Sequence, residues 1–159
     1  MEKNKNSNPN QKITPFLWFN NNLEEAVNLY VSVFSNAKIL NMHRVGGKVL
    51  TATFQLEGQR FMALQGGPQY SFTPAISLFV DCSTQDEVDE LWNKLAADPE
   101  QGQCGWLKDK FGLSWQIIPS ALGELMGDPD REKSKRVMDA MLKMKKIDIA
   151  GLRKAYDNK

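Results

Sequence analysis

The chain repeats itself, and that repeat limits its fold more than any local signal does. Residues Ile13 to Phe34, ITPFLWFNNNLEEAVNLYVSVF, have a partner in Phe72 to Leu95, FTPAISLFVDCSTQDEVDELWNKL. Each stretch opens with Thr-Pro, runs on as an apolar strand, breaks at a polar turn and becomes a helix that starts with acids. Inside the helices EEAVNLY lies over DEVDELW, which aligns Leu29 with Leu91 and Tyr30 with Trp92. A weaker match sets EGQRFMAL (Glu57 to Leu64) against FGLSWQII (Phe111 to Ile118), aligning Gly58 with Gly112 and Met62 with Gln116. A repeat of this length is one supersecondary unit used twice, and neither copy has enough layers to bury both faces of its sheet.

Local patterning supports the shared order of strand, helix and hairpin. Leu23, Ala26, Val27 and Tyr30 fall at helical spacing, with Asn22 as the expected N-cap and Glu24 and Glu25 in the first turn. In the second copy Ser83 or Thr84 caps a helix whose apolar stripe is Val88, Leu91, Trp92 and Leu95. The stretch VLTATFQLEG alternates at period two. Leu50, Ala52, Phe54 and Leu56 should pack under a helix, while Thr51, Thr53, Gln55 and Glu57 face water or a polar cavity. Each copy therefore reads as β-α-β-β-β. The second is compressed, with its first strand after the helix only faintly marked near Gln101–Gln103.

The chain is 159 residues long, 42% hydrophobic and 25% charged, as expected for a globular protein that can bury a core. Its net charge of +1 gives no bulk electrostatic reason for a nucleic-acid or membrane-surface partner. No apolar run approaches the roughly 18–20 residues of a membrane span. Residues 1–11 read as a disordered polar leader and not a secretory signal. With two cysteines, that reading predicts free thiols in a reducing cytoplasm. The modules are expected over 12–67 and 68–119, forming one structural domain with a helical extension over 120–159. In that extension Asp128-Pro129 signals a helix start, Asp148 starts a last short helix, and Val137, Met138, Met141, Leu142 and Met144 form a methionine-rich stripe. The stripe packs on the domain or a second subunit, or serves as an adaptable lid.

The phrases ITPFLWF, EEAVNLY, GGPQYSFTPAISLFV, QCGWLKDKFGLSWQIIP and DREKSKRVMDAMLKMKKIDI resemble the PhnB-like family of the vicinal oxygen chelate (glyoxalase/bleomycin-resistance) superfamily, whose members often carry the label 3-demethylubiquinone-9 3-methyltransferase. The resemblance spans Lys12 to Tyr156. It implies an α+β fold of two paired βαβββ modules forming a curved mixed sheet, a cup with helices outside, and a homodimer. Metal enzymes of the superfamily place ligands on the first and last strand of each module. Carried over, those positions fall at Pro15 or Phe16, at Met62 or Ala63, at Pro74 or Ala75, and at Gln116. Only Gln116 can coordinate, and divalent metals of this type need about three protein ligands. His43, the chain's one histidine, lies outside the set. No metal and no cofactor are therefore expected. The methyltransferase label fares no better, because an S-adenosylmethionine site of the common type needs a glycine turn between a strand and a helix. Gly46-Gly47 reads as a strand-to-strand turn and Gly66-Gly67 as the start of the linker between modules.

If Gln116 faces the cup, period two brings Ser114 and Ile118 with it and sends Trp115 and Ile117 toward the helices. Cys104 and Trp106 are read as sharing the inner face of the preceding strand, with Gly105 and Leu107 beneath. The expected ligand pocket is thus Gln116, Trp106, Cys104, Ser114, Met62, Thr51, Thr53 and Gln55. Tyr70 and Phe72 either close over a ligand or pack at the seam between modules. No catalytic residue can be assigned: Cys104 has no histidine near it in sequence, and His43 reads as a strand-surface residue. The favoured reading is a metal-free homodimer that binds an unidentified, flat or aromatic small molecule. The alternatives are a superfamily enzyme (lyase, isomerase, dioxygenase or transferase) with unusual site residues, and a scaffold whose cup is filled by its own side chains.

Overall fold

A computed structural model describes residues 11–159. The leader expected over 1–11 lies outside the described residues except for Gln11. That residue is ordered: its side chain accepts from the Arg60 amide and donates to the Arg60 carbonyl, each at 3.0 Å. The protein is α+β and divides into two compact units at Phe72/Thr73.

The first unit contains β1 (Phe16–Phe19), α1 (Leu23–Val33), β2 (Ala37–Val45), β3 (Lys48–Leu56) and β4 (Gln59–Gln65), in the sheet order β1-β4-β3-β2. Strands β1 and β4 run parallel, and the other pairs are antiparallel. Two-residue turns join the hairpins. Gly46 and Gly47, like Glu57 and Gly58, have positive φ, the geometry that matches strand twist. The expected stripe of α1 is buried in full and Val33 joins it. It packs through a run of rings, Phe19 to Tyr30 at 6.5 Å, Tyr30 to Phe54 at 6.2 Å and Phe54 to Phe61 at 5.3 Å. Asn22 occupies the N-cap position, but its side chain makes no capping bond. Ala52, Phe54 and Leu56 lie under the helix as expected. Leu50 does not, and is 39% exposed. A bulge explains this: His43 pairs with Thr51 but Arg44 pairs with Val49, so Leu50 is the extra residue and Val49 is buried instead.

The second unit contains β5 (Ser77–Cys82), α2 (Gln85–Leu95), β6 (Trp106–Lys108) and β7 (Ser114–Pro119), in the order β5-β7-β6 with β5 and β7 parallel. Helix α2 starts as a capping box. Thr84 Oγ1 accepts from the Glu87 amide at 3.2 Å while the Glu87 carboxylate accepts from the Ser83 amide at 2.7 Å. Its stripe of Val88, Leu91, Trp92 and Leu95 is buried. The strand expected near Gln101–Gln103 is absent, and this sheet has three strands. That segment is taken up by turns: Gln101 bonds back to Asp98, and Gln103 bridges only to Trp106 across Cys104-Gly105.

Three helices follow, α3 (Ser120–Met126), α4 (Arg131–Met141) and α5 (Ile149–Asp157), around a small core of Leu122, Val137, Ile147 and Leu152. Asp148 caps α5 as expected. Helix α4 starts two residues later than Asp128-Pro129 suggests. Asp130 caps it, whereas Asp128 is occupied by the Tyr156 hydroxyl at 2.6 Å and the Asp130 amide at 2.8 Å. Met141 and Met144 of the methionine-rich stripe pack on the core, while Met138 and Leu142 are exposed. Gln85 ties this extension to α2 by donating to the Ile147 carbonyl at 3.0 Å and accepting from the Ile149 amide at 2.8 Å. Asp89 is held below the usual carboxylate range, first by Lys146 at 2.7 Å and then by Gln85. Its contribution is therefore present at neutral pH and lost on acidification through that lowered value. Gln85→Ala is expected to cost about 1–3 kcal/mol in urea unfolding and to speed hydrogen exchange at the Ile149 amide. Among the described residues no helix is long and apolar enough to cross a membrane.

Candidate functional site

In each unit a helix covers one face of the sheet, so the opposite face is where a ligand can be met. Register fixes what the second sheet presents there. Across β5, β7 and β6, Phe79 pairs with Gln116 and Gln116 with Trp106, which puts an amide between two aromatic rings in one row. The neighbouring row is Ser77, Ser114 and Lys108, of which Ser114 is buried at 2% exposure, and beyond Gln116 on the other side stand Asp81 and Ile118. Phe79 is 59% exposed and Trp106 37%, high values for side chains of this size within a sheet. Gln116 Nε2 donates to Ser77 Oγ at 2.9 Å, and its Oε1 is a further acceptor on the same amide.

The opposite face is core. Trp115 and Ile117 are buried as expected, with Leu107. Trp115 Nε1 donates to Asp109 Oδ2 at 2.9 Å, and Asp109 Oδ1 accepts from the amides of Phe111 and Leu113. Asp109 thus organises the turn between β6 and β7. Cys104 does not share a strand face with Trp106. It sits half-buried in the two-residue turn with φ 53, beside Gly105 with φ 83. Their amides donate to the carbonyls of Met144 and Lys145, both at 2.8 Å, so the C-terminal extension holds the turn that leads into Trp106.

On the first sheet the open face carries the rows Phe16–Met62–Thr53–Asn41 and Trp18–Leu64–Thr51–His43. Met62, Thr51 and Thr53 therefore come together, apolar at the β1 edge and polar toward β2. Gln55 belongs to the same face by alternation but is only 2% exposed. Tyr70 and Phe72 pack edge-on against Trp18 at 5.0 Å and Phe19 at 5.2 Å, within the first unit. A separate shallow cleft of about 560 Å³ beside the start of α1 is lined by Asn21, Glu25, Asn28 and Lys48 among others. At its margin the Arg44–Glu24 ion pair holds the Glu24 carboxyl below its ordinary range.

The donor set does not fit the metal of the superfamily's enzymes. Met62 pairs with Phe16, and neither offers the imidazole or carboxylate that those metals take. In the second unit register places Phe79, not Pro74 or Ala75, opposite Gln116. The shared Thr-Pro is a false anchor: Thr73 to Ile76 form a turn before β5 begins, which shifts the repeat by four residues. The hairpin part of the repeat is sound, since Gly58 and Gly112 both have positive φ, 85 and 88. Among the described residues no three His, Cys, Asp or Glu side chains converge on a point. An S-adenosylmethionine site fits no better, because the strand-to-helix turns are Asn20-Asn21-Asn22 and Ser83-Thr84 with no glycine in either. Burial, then the charges of Glu87 and Asp81, push the Cys82 thiol up to about 12. It stays protonated and is no nucleophile.

Sequence reasoning missed Phe79, Ser77 and Lys108. The alternation of SLFVDC sets Ser77 and Phe79 on one face, and that of WLK sets Lys108 with Trp106, but the repeated Thr-Pro points to Pro74 and Ala75 instead.

The family described as 3-demethylubiquinone-9 3-methyltransferase matches residues 11–118, so helices α3 to α5 lie outside the matched span. No curated protein matches the chain. The solved structure of a PhnB protein from Bacillus cereus is 38% identical over 69% of this chain and 99% of its own, with a TM-score of 0.61. A Pseudomonas aeruginosa protein at 20% identity shares the fold, with a TM-score of 0.50, over 65% of this chain and 92% of its own. Two mixed sheets, each with a helix on one face and the second one strand short of the implied module, together with a match over most of the chain, place this protein in the PhnB-like, 3-demethylubiquinone-9 3-methyltransferase-like family of glyoxalase-type folds.

Proposed function

We propose that this protein binds an aromatic small molecule without a metal, on the open face of its second sheet. The observation that carries the reading is the row Phe79–Gln116–Trp106, which exposes two rings around a fixed amide. Ligand sites pair apolar and aromatic walls with a few placed polar groups, and this row supplies both. The turns Asn20-Asn21-Asn22 and Ser83-Thr84, which carry no glycine, favour such a ligand over S-adenosylmethionine. Exposed Met138 on α4 and Leu142 at its C-cap support a homodimer, and a monomer in sedimentation at micromolar concentration would refute it.

Trp106→Ala and Gln116→Leu test the binding reading. Each should weaken binding of aromatic fragments, by roughly 5- to 30-fold for the loss of a stacking ring, while far-UV circular dichroism stays unchanged. If both variants unfold, these residues are core and the assignment fails. Unchanged affinity in a folded variant removes that residue from the site.

A further inference from the structure

The row next to the rings carries a charge that the binding reading does not use. Lys108 lies on the same face as Trp106, in register with Ser114 and Ser77, and takes part in none of the ion pairs described. Leu107 between them is buried, which confirms the alternation. The Ser77 hydroxyl accepts its bond from Gln116, so its own proton is available to a ligand. On the opposite side of the ring row stands Asp81, whose Oδ1 accepts from Ser120 Oγ at 2.9 Å. The face is therefore polarised along the strands, cationic and hydroxyl-bearing at one end, anionic at the other.

We propose that the second sheet recognises a planar aromatic acid. The inference rests on the binding reading above and adds the ligand's chemistry and orientation. The strands bearing Phe79 and Trp106 lie about 10 Å apart, two strand spacings, which leaves room for one planar ring over Gln116 between the two side chains. Gln116 Oε1 accepts from a ring N–H or phenolic O–H. The carboxylate points toward Lys108 and Ser77, because Asp81 repels it at the far end. A charge-assisted contact there fixes which way round the ring lies and discriminates against neutral aromatics.

Indole-2-carboxylate has the required ring N–H, plane and charge. Indole-2-carboxamide removes the charge alone, and cyclohexanecarboxylate removes the plane. Calorimetry and side-chain NMR with the full chain are expected to rank the indole acid above the amide and the saturated acid last. Lys108→Gln should weaken the acid roughly two- to fivefold, the range for an exposed ion pair, and leave the amide unchanged. Lys108 lies at the exposed end of a strand, so this variant is expected to fold. Equal binding of acid and amide, or no effect of Lys108→Gln, would overturn the charge assignment while the aromatic reading stands. Failure of every aromatic probe to shift Gln116 or Trp106 would overturn both.

Discussion

Trp115→Ala is expected to cost about 3–5 kcal/mol of unfolding free energy, the range for deleting a fully buried large aromatic. Trp115 is 1% exposed, under α2, and its indole N–H is a partner of the buried Asp109 carboxylate. Deleting the ring opens a cavity and also removes that donor, so Trp115→Phe should recover part of the loss but not the hydrogen bond. Trp106→Ala, on the neighbouring strand, should cost about 1–2 kcal/mol, since that ring already stands partly in solvent. Urea titrations followed by circular dichroism compare the two. Equal costs would mean the open and covered faces of this sheet have been assigned wrongly.

Gly105→Ala should be the second large effect. The residue has φ 83, which costs an L-residue about 1–2 kcal/mol. A Cβ there would stand 2.5 Å from Ile118 Cδ1 and 3.1 Å from both the Ile117 carbonyl and Ile147 Cγ1. Adding a methyl to a packed site costs about 1–3 kcal/mol more. The total of about 2–5 kcal/mol falls where the extension, the Cys104-Gly105 turn and β7 meet, because the Gly105 carbonyl also accepts from the Ile117 amide at 2.8 Å. The variant should therefore lower stability and loosen the C-terminal helices together, as increased hydrogen exchange at Ile149 and Leu152. A loss of stability with the helices still protected would mean that they are fastened elsewhere.

The helices were legible because their signal is local. The stripe of α1 and that of α2 each follow from 3.6-residue spacing, and both are buried as read. The edges of elements were less legible, because they depend on partners far away in sequence. Leu50 was misplaced by a bulge that exists only against β2, and Cys104 by a turn whose amides are satisfied by Met144 and Lys145. The face proposed as the binding site was half legible. Gln116, Ser114 and Trp106 follow from period two along a hairpin. Phe79 required the parallel register of β5 on β7, which no hairpin turn announces and which the repeated Thr-Pro pointed away from. Lys108 needed that register too, since an exposed lysine at a strand end is ordinary until its neighbours across the sheet are known.

An NMR titration of the isotope-labelled protein with indole-2-carboxylate can follow the four tryptophan indole N–H signals and the Gln116 amide group. Trp106 and Gln116 are expected to shift in concert and saturably while buried Trp92 and Trp115 stay in place. Movement at Trp18 alone, or no movement at Gln116 up to the solubility of the probe, would contradict a binding site on the second sheet.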